Sequence, residues 1–416
     1  MNRSLPDSTW LASGALAHVL AVLDHAGEEA RVVGGAVRNA MFGEAPGDVD
    51  IATTAVPDTV IERARTAGFK AVPTGIDHGT VTVIADGTPF EVTTLRADIE
   101  TYGRKAKVAF GRDWKVDAER RDFTMNALSV DRRGAIFDYV GGLADIEARR
   151  VRFIGEAEKR IAEDYLRILR FFRFHATYGA GPPDPDGLRA CIAAREGLGH
   201  LSRERTRMEL IKLLRAAHAT PTLAVMSEAG LLESVLGGVP LLASFENACK
   251  AERTAGVDGD PVRRLGALAV SVAEDADRLW QRLRLTNSEH KRLTSIGEGW
   301  SLIDPARGEA SAREAIYRLG PDRYLDRVLV AWARSPAGVA DAGWRSLASL
   351  PTRWTAPKFP LKAKDFTKRG VEKGPWLGAA LAAAEEAWIA AGFPTDAPAL
   401  AALAEVAIAA SAGERK

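Results

Sequence analysis

Two carboxylates one residue apart, Asp48 and Asp50 in Gly47-Asp48-Val49-Asp50-Ile51, are the side chains of this sequence best suited to chemistry. In an extended strand alternate residues share a face, so both acids would point one way and Val49 and Ile51 the other. Two hard oxygen ligands side by side suit magnesium, which binds through one or two carboxylates plus the phosphates of a substrate. Just upstream, Val32-Val33-Gly34-Gly35-Ala36-Val37-Arg38 reads as strand, tight glycine turn and helix. That shape aims backbone N–H groups at phosphate. Taken singly, a solvated edge strand and a plain turn account for each feature; together they describe a metal–nucleotide site. A third acid, Glu91, lies in a later strand that can bring it beside the pair, with cross-strand pairing to Arg96 or Arg121 as its competing role.

Two further segments carry matching chemistry. In Arg120-Arg121-Asp122-Phe123-Thr124-Met125-Asn126, Arg121 can neutralise phosphate oxygens, while Asp122 or Asn126 can hydrogen-bond a sugar hydroxyl or brace the loop. From Ala162 to Phe174 the pattern is helical, with acids early and arginines three apart. Asp164, Arg167, Arg170 and Arg173 would share one broad face, and Leu166, Leu169 and Phe172 a neighbouring apolar stripe. On its own such a charged stripe is usually a solvated helix face.

The run Gly34-Gly35-Ala36-Val37-Arg38 followed by Gly47-Asp48-Val49-Asp50-Ile51-Ala52-Thr53-Thr54 resembles the head domain of the class II tRNA nucleotidyltransferase and poly(A) polymerase family, within the DNA polymerase beta superfamily. The resemblance implies that Asp48 and Asp50 bind two Mg2+ ions, one activating an RNA 3′-hydroxyl and one escorting a triphosphate, and that Gly35 and Arg38 contact the nucleotide. The Arg120–Leu128 run is similar to the family's second motif, which holds ribose and triphosphate through positions matching Arg121 and Asn126. Glu163-Asp164-Tyr165-Leu166-Arg167 matches the family's Glu-Asp-x-x-Arg selector, whose Asp and Arg read the incoming base; Arg170 and Arg173 continue that face toward the nucleotide. Cytosine and adenine each show an amino donor beside a ring acceptor, which Asp164 and Arg167 can meet, whereas guanine and uracil show a carbonyl beside a ring N–H. Two failed pairings, each worth about 1–3 kcal/mol, give strong rejection.

The implied activity is template-independent addition of CCA to the tRNA 3′ end from CTP and ATP, by in-line attack on the α-phosphate with pyrophosphate leaving. Its alternatives are a poly(A) polymerase or a partial CC- or A-adding relative. A catalytically inactive RNA-binding module is a third reading, against which the intact Asp48, Asp50, Arg121, Asp164 and Arg167 argue.

The elements that must position these residues divide in two. At 416 residues the chain exceeds one ordinary core. Short β-type runs at 31–33, 49–51, 80–84, 90–94, 128–130 and 135–139, a helix over 8–26 and another from Pro57 to Ala67 predict an α+β head with a small mixed sheet. From about Leu143 the pattern is helical, so an all-α remainder follows in an elongated, multi-domain chain. The expected divisions are a catalytic head (1–142), a helical neck with the selecting helix (143–220), a helical body (221–350) and an RNA-binding helical tail (351–416). Helical breaks fall at Gly179–Gly187, Ala255–Pro261, Pro305–Gly308 and Pro351–Pro360.

The long charged stretch Leu95–Arg120, with Asp98, Tyr102, Gly103, Arg104, Lys105, Lys107 and Arg112, reads as a loop. In the resembling family a flexible loop here accompanies full CCA addition; an ordinary surface loop is the plainer account. His78 reads as a turn-stabilising residue, and Cys191 and Cys249 as buried small hydrophobes. No His-Asp doublet marks an appended phosphohydrolase domain. A net charge of +1 excludes a generic polyanion binder, so RNA contact must be local. The basic stretches Arg203–Arg207, Arg282–Arg284 and His290–Arg292 are candidates for it. No apolar run reaches the ~18 residues that span a bilayer, and with no convincing leader the chain reads as cytoplasmic. The sequence sets no oligomeric state.

Overall fold

The computed structural model describes residues 3–102 and 105–413. They form two units, 1–242 with 279–285, and 243–278 with 286–416.

The first unit contains a seven-stranded sheet. Its strands are β1 (Ala30–Val33), β2 (Asp50–Thr53), β3 (Lys70–Gly75), β4 (Thr80–Ala85), β5 (Thr88–Thr94), β8 (Ser129–Val130) and β9 (Ile136–Phe137), in the order β3-β4-β5-β2-β1-β8-β9. β6 (Arg96–Tyr102) and β7 (Lys105–Phe110) make a separate two-stranded ribbon. β2 pairs antiparallel with β1 and parallel with β5, so the sheet is mixed at its centre. Val32, Ile51, Val81 and Val92 are fully buried there. β4 and β5 are joined through Asp86-Gly87, both at positive φ (50° and 77°), the backbone that a two-residue hairpin requires.

Helices α1 (Gly14–Leu23), α2 (Gly35–Met41) and α3 (Pro57–Thr66) accompany these strands. α1 buries Leu16, Val19, Leu20 and Leu23, and α3 buries Val60 and Ala64. The 8–26 helix is shorter than expected. Thr9–Leu11 is a single 3-10 turn, and α1 starts at Gly14 after Ser13. Pro57 opens α3 as expected, at the position where its missing N–H is not needed.

The Leu95–Arg120 stretch is not a loop. β6 and β7 pair from Arg96↔Phe110 to Tyr102↔Lys105, satisfying one another's backbone groups, and α4 (Trp114–Glu119) follows. Asp113 caps α4 by accepting from Lys115 N at 2.8 Å. The density of charge concealed the strands from a hydrophobic-period reading. Gly103 and Arg104 lie outside the described residues.

Beyond β9 the described residues are helical. α5 (Gly142–Glu147), α6 (Ala157–Glu163), α7 (Leu166–Tyr178), α8 (Pro185–Ala193) and α9 (Arg203–Arg215) belong to the first unit, with α10 (Ala219–Glu228) and α11 (Leu231–Leu236) after them. Phe123, Phe153, Phe171 and Phe174 pack ring against ring beneath α7. Cys191 and Cys249 are buried and unbridged.

The second unit is helical throughout its described residues, from α12 (Leu242–Ala255) and α13 (Pro261–Ala269) to a last helix at Ala397–Gly413. Its centre holds a buried ion network in which Arg263 meets Glu252 (2.8 Å) and Asp326 (3.1 Å), and Arg292 meets Asp326 at 2.8 Å. Arg292, expected as part of a basic RNA-facing stretch, is tied into this network. The predicted breaks at Ala255–Pro261 and Pro305–Gly308 fall where helices end or begin; Pro351 instead sits inside the final turns of Ala342–Arg353. No helix among the described residues is long and apolar enough to cross a membrane.

One contact fixes the strand-side turn used below. Asp145 in α5 is fully buried and accepts from Thr124 Oγ1 at 2.6 Å, Arg150 Nε at 2.7 Å and Arg152 Nε at 2.9 Å. Beside it Gly142 lies so close to the Thr124 backbone that a Cβ would stand 2.3 Å from the Thr124 carbonyl oxygen. Gly142→Ala is expected to lose about 1–3 kcal/mol of stability, read as a lowered urea midpoint, because backbone on both sides must shift. An unchanged midpoint would show that the turn yields freely.

Candidate active site

Short-range devices place the acids. β1 ends at Val33, and Gly34 turns the chain at φ 72°, ψ −124°, a conformation that suits glycine, before α2 begins at Gly35. The Gly34 N–H donates to the Leu128 carbonyl at 3.2 Å. In α2, Asn39 donates from Nδ2 to the carbonyls of Ala45 and Pro46 at 3.4 Å, tying down the loop that Gly47 (φ 70°) turns into Asp48.

The strand itself starts at Asp50, not at Val49. Val33↔Asp50 is the last β1–β2 pair, because the glycine turn removes any ladder partner for the residues before it. Asp48 therefore occupies a bend, and its nearness to Asp50 comes from the loop rather than from strand alternation. Glu91 stands directly opposite Asp50 in the parallel β2–β5 register. Desolvation at the recess and the charge of Glu91 push the Asp50 carboxyl above the usual carboxylate range; Asp48 adds to the push, and Arg121 opposes it.

Asp50 and Glu91 open on a recess of about 160 Å³, lined also by Thr93, Asp117, Arg120 and Arg121, among others. Among the described residues no three His, Cys, Asp or Glu side chains form a ready metal cage. A carboxyl whose proton affinity is raised by burial and by a neighbouring acid, facing guanidinium groups, suits a cation shared with a phosphate.

Arg121 reaches the recess under tension from two sides. Its Nη2 donates to Asp117 at 3.2 Å, and its Nη1 lies at 3.5 Å from the Asn126 carbonyl. Asp117, almost wholly buried, also accepts from Arg120 Nε at 2.9 Å. Burial alone would raise the Asp117 carboxyl, but Arg121 and Arg120 hold it below its usual range. A Cβ on Gly34 would approach Arg121 Nη1 to 3.2 Å, so the glycine turn leaves room for this guanidinium.

Arg38 and Asn126 lie behind the recess. Arg38 is 7% exposed and Asn126 8%. Arg38 donates to Asn126 Oδ1 (2.5 Å), Asn39 Oδ1 (2.8 Å) and Tyr178 OH (2.8 Å), and stacks 4.2 Å from the Tyr178 ring. Asn126 passes the contact on, donating to Asp122 Oδ1 at 3.1 Å, and Asp122 Oδ2 accepts from Arg170 Nε at 2.7 Å. Burial works against the Asp122 charge, yet Arg170 and Asn126 keep its carboxyl below the usual range.

The expected helix across 162–174 is broken. α6 stops at Glu163, Asp164 is extended (φ −158°, ψ 107°), and α7 starts at Leu166. Asp164 Oδ1 accepts the Leu166 N–H at 3.1 Å, a local bond that competes with helix continuation. Arg167, Arg170 and Arg173 do share a face of α7, and Leu166, Leu169 and Phe172 are buried on the next one. Asp164 does not join that face. Both its oxygens pair with Arg205 of α9, while Arg167 Nη1 donates to Glu163 and to the Arg160 carbonyl at 2.7 Å. Glu209 accepts from Arg173 Nε and sits 3.8 Å from Arg170 Nη1.

Arg205 is thus engaged inside the first unit, and the other basic stretches are similarly used. Arg284 pairs with Glu204, Arg282 donates to the Val235 carbonyl at 3.0 Å, and His290 meets Asp277 at 2.7 Å. Sequence reasoning missed Asp117, Arg160, Tyr178 and Glu209, and named Arg205 only within a candidate RNA-contact stretch, not as the partner of Asp164. Only Asp117 and Arg160 left a readable trace, as i,i+4 and i,i+3 partners of Arg121 and Glu163. His78 lies in a short 3-10 turn, where its carbonyl accepts from Arg96.

The chain is similar to known proteins in sequence and in fold. Residues 30–152 match the family described as Poly A polymerase head domain, and residues 183–245 the one described as a probable RNA and SrmB-binding site of polymerase A. The mitochondrial CCA tRNA nucleotidyltransferase 1 of Mus musculus is 35% identical over 376 residues, covering 88% of this chain and 84% of the mouse protein. The CCA-adding enzyme of Geobacillus stearothermophilus is 35% identical over 384 residues, 87% of this chain and 89% of that enzyme. The chain belongs to the CCA-adding tRNA nucleotidyltransferase family. A solved structure of the Bacillus stearothermophilus CCA-adding enzyme in complex with CTP superposes with a TM-score of 0.73 at 31% identity, over 93% of this chain and 95% of that one.

Family membership leaves the electrostatics of Asp50 open to direct measurement. A carboxyl whose folded pKa lies above its unfolded value of about 3.9 stabilises the fold at low pH, and that contribution is lost as pH rises through the raised value. Asp50→Asn is therefore expected to melt higher than wild type at neutral pH in chelator, with the gap closing below about pH 4. Thermal melts of both proteins from about pH 3 to about pH 8 check this; a variant less stable than wild type at neutral pH would remove the repulsion argument.

Proposed function

We propose that this chain adds CCA to the 3′ end of tRNA without a template, using CTP and ATP and releasing pyrophosphate. The observation that carries the chemistry is the register that sets Asp50 against Glu91, sharing one recess with Arg121, with Asp48 close enough to act on the Asp50 charge. The reaction forms a bond from the RNA 3′-oxygen to the α-phosphorus and breaks the α–β bridge, so charge moves onto the departing pyrophosphate. Asp48 and Asp50, with Glu91, would hold magnesium. Bound there as a pair of ions, it would lower the pKa of the 3′-hydroxyl and neutralise the attacking and leaving oxygens. Arg121, angled by Asp117, takes the triphosphate, and Gly35 brings the turn's backbone to it.

Base choice falls to Asp164 and Arg167. The solved structure of the Bacillus stearothermophilus relative is a complex with CTP, which supports CTP as a substrate. Each Asp164 oxygen bonded to Arg205 keeps a lone pair to accept an amino hydrogen, and Arg167, anchored through Nη1, donates to the ring acceptor. Arg170 and Arg173 complete the set that faces the nucleotide. Arg38 and Asn126, being buried and mutually bonded, serve as the frame behind it. RNA contact is assigned to residues 183–245 and to the tail from 351 onward, where Lys358, Lys362, Lys364, Lys368 and Lys373 are exposed.

Incubating tRNA that lacks its end with CTP and ATP, singly and together, tests the whole reading. Addition of C, C, then A is expected; long A tracts without CTP would make the protein a poly(A) polymerase instead. Asp48→Asn/Asp50→Asn should lose about 10²-fold or more of the rate, and Asp164→Ala and Arg167→Ala should each admit UTP or GTP. Full selectivity in both selector variants would sink the base-reading assignment. Replacing Lys362 and Lys364 by Glu should raise the KM for tRNA and flatten its salt dependence, with the KM for CTP unchanged. An unaltered tRNA KM would move the RNA surface elsewhere.

A further inference from the structure

Arg160 in α6 makes two sets of bonds that belong to different parts of the site. Its Nη2 donates to the carbonyls of Arg121 (2.7 Å) and Arg120, some forty residues upstream in the chain. Its Nη1 donates to Glu163 at 2.7 Å, and Glu163 in turn accepts from Arg167. Arg167 closes the circuit by bonding the Arg160 carbonyl at 2.7 Å. The Arg160 side chain is only 12% exposed, and its Nε is buried with no partner. The guanidinium is placed by the two contact sets it joins.

We propose that Arg160 is a positioning residue coupling the base-reading pair Asp164 and Arg167 to the phosphate-facing arm at Arg120–Arg121. The inference rests on the reading of Asp164 and Arg167 as the selector. A base whose edge satisfies Arg167 leaves Glu163 free to hold Arg160, and Arg160 then fixes the carbonyls from which the Arg121 side chain departs. A base with the wrong edge displaces Arg167 and draws Glu163 with it. The strut slackens, and the triphosphate is no longer held in line. Rejection of the wrong nucleotide therefore acts on turnover as well as on binding. Without the strut, the phosphate arm is set the same way whatever base is present.

The test uses the full-length protein and single-nucleotide addition to tRNA lacking its end, with kcat and KM measured for CTP and for UTP. Arg160→Lys keeps a cation near Glu163 but lacks the planar fork that reaches both sets of acceptors. Glu163→Gln, an isosteric change, opens the same strut at its other end and serves if the first variant does not fold. In either variant the CTP-to-UTP ratio of kcat/KM is expected to fall about tenfold, chiefly through kcat for CTP, with the KM for tRNA unchanged. A lowered rate with the wild-type CTP-to-UTP ratio would make Arg160 purely structural and overturn the coupling. Arg167→Ala run in parallel separates the two ideas. If it lowers the ratio while Arg160→Lys and Glu163→Gln do not, only the coupling fails; if it too keeps the wild-type ratio, the selector reading fails and takes the coupling with it.

Discussion

Asp50 and Glu91 repel each other across a parallel strand pair, and much of the first unit follows from tolerating that repulsion. Adjacent strands are only about 4.8 Å apart, and a third acid, Asp48, stands nearby. The simplest relief would be a direct ion pair with Arg121, which would also fill the recess. Asp117 prevents this by drawing the Arg121 guanidinium to its own side. The acids therefore keep their excess charge, and the recess keeps both signs apart. Gly34 matters for the same reason, since a side chain there would crowd the guanidinium that has to stay in place.

Behind the recess the arginines and acids form a frame rather than a list of pairs. Arg38, Asn126, Asp122, Arg170, Glu209 and Arg173 are joined in sequence by hydrogen bonds or ion pairs. The rings of Phe123, Phe174 and Tyr178 lie against this frame and exclude water from it. A buried ion pair adds little net stability, because desolvation offsets the attraction, but removing one partner costs about 3–5 kcal/mol. Such a frame is rigid because each member is needed by the next. That rigidity suits a site which must hold a triphosphate, a base and an RNA end in one geometry.

The sequence carried local information well and pairing information poorly. Strand, turn and helix around Gly34, and the strands holding Glu91 and Ile51, were legible because their signals are short-range: β-branched runs, glycine at positive φ, proline at a helix start. The β6–β7 ribbon was not, because its strands are polar and a two-stranded ribbon need not alternate. The break at Asp164 was hidden by strong helical periodicity on both sides. The partners of the site residues were the least visible of all. Arg205 and Glu209 reach Asp164 and Arg173 across more than thirty residues, and nothing in the spacing of arginines says which acid each will find. For the same reason the spacing of Arg282, Arg284 and Arg292 did not show that in the fold they bond to Val235, Glu204 and Asp326.

That break bears directly on the base-reading role proposed for Asp164 and Arg167. Had α6 and α7 run on as one helix, Asp164 and Arg167 would stand three residues apart on one face, the spacing at which such side chains pair with each other. A self-satisfied pair has nothing to offer a base. The extended backbone at Asp164 turns its carboxylate toward Arg205, and Glu163, still helical, takes Arg167. Each group is neutralised by a neighbour that is not its functional counterpart. One acceptor, held by Arg205, and one donor, held by Glu163, are thereby kept from cancelling each other.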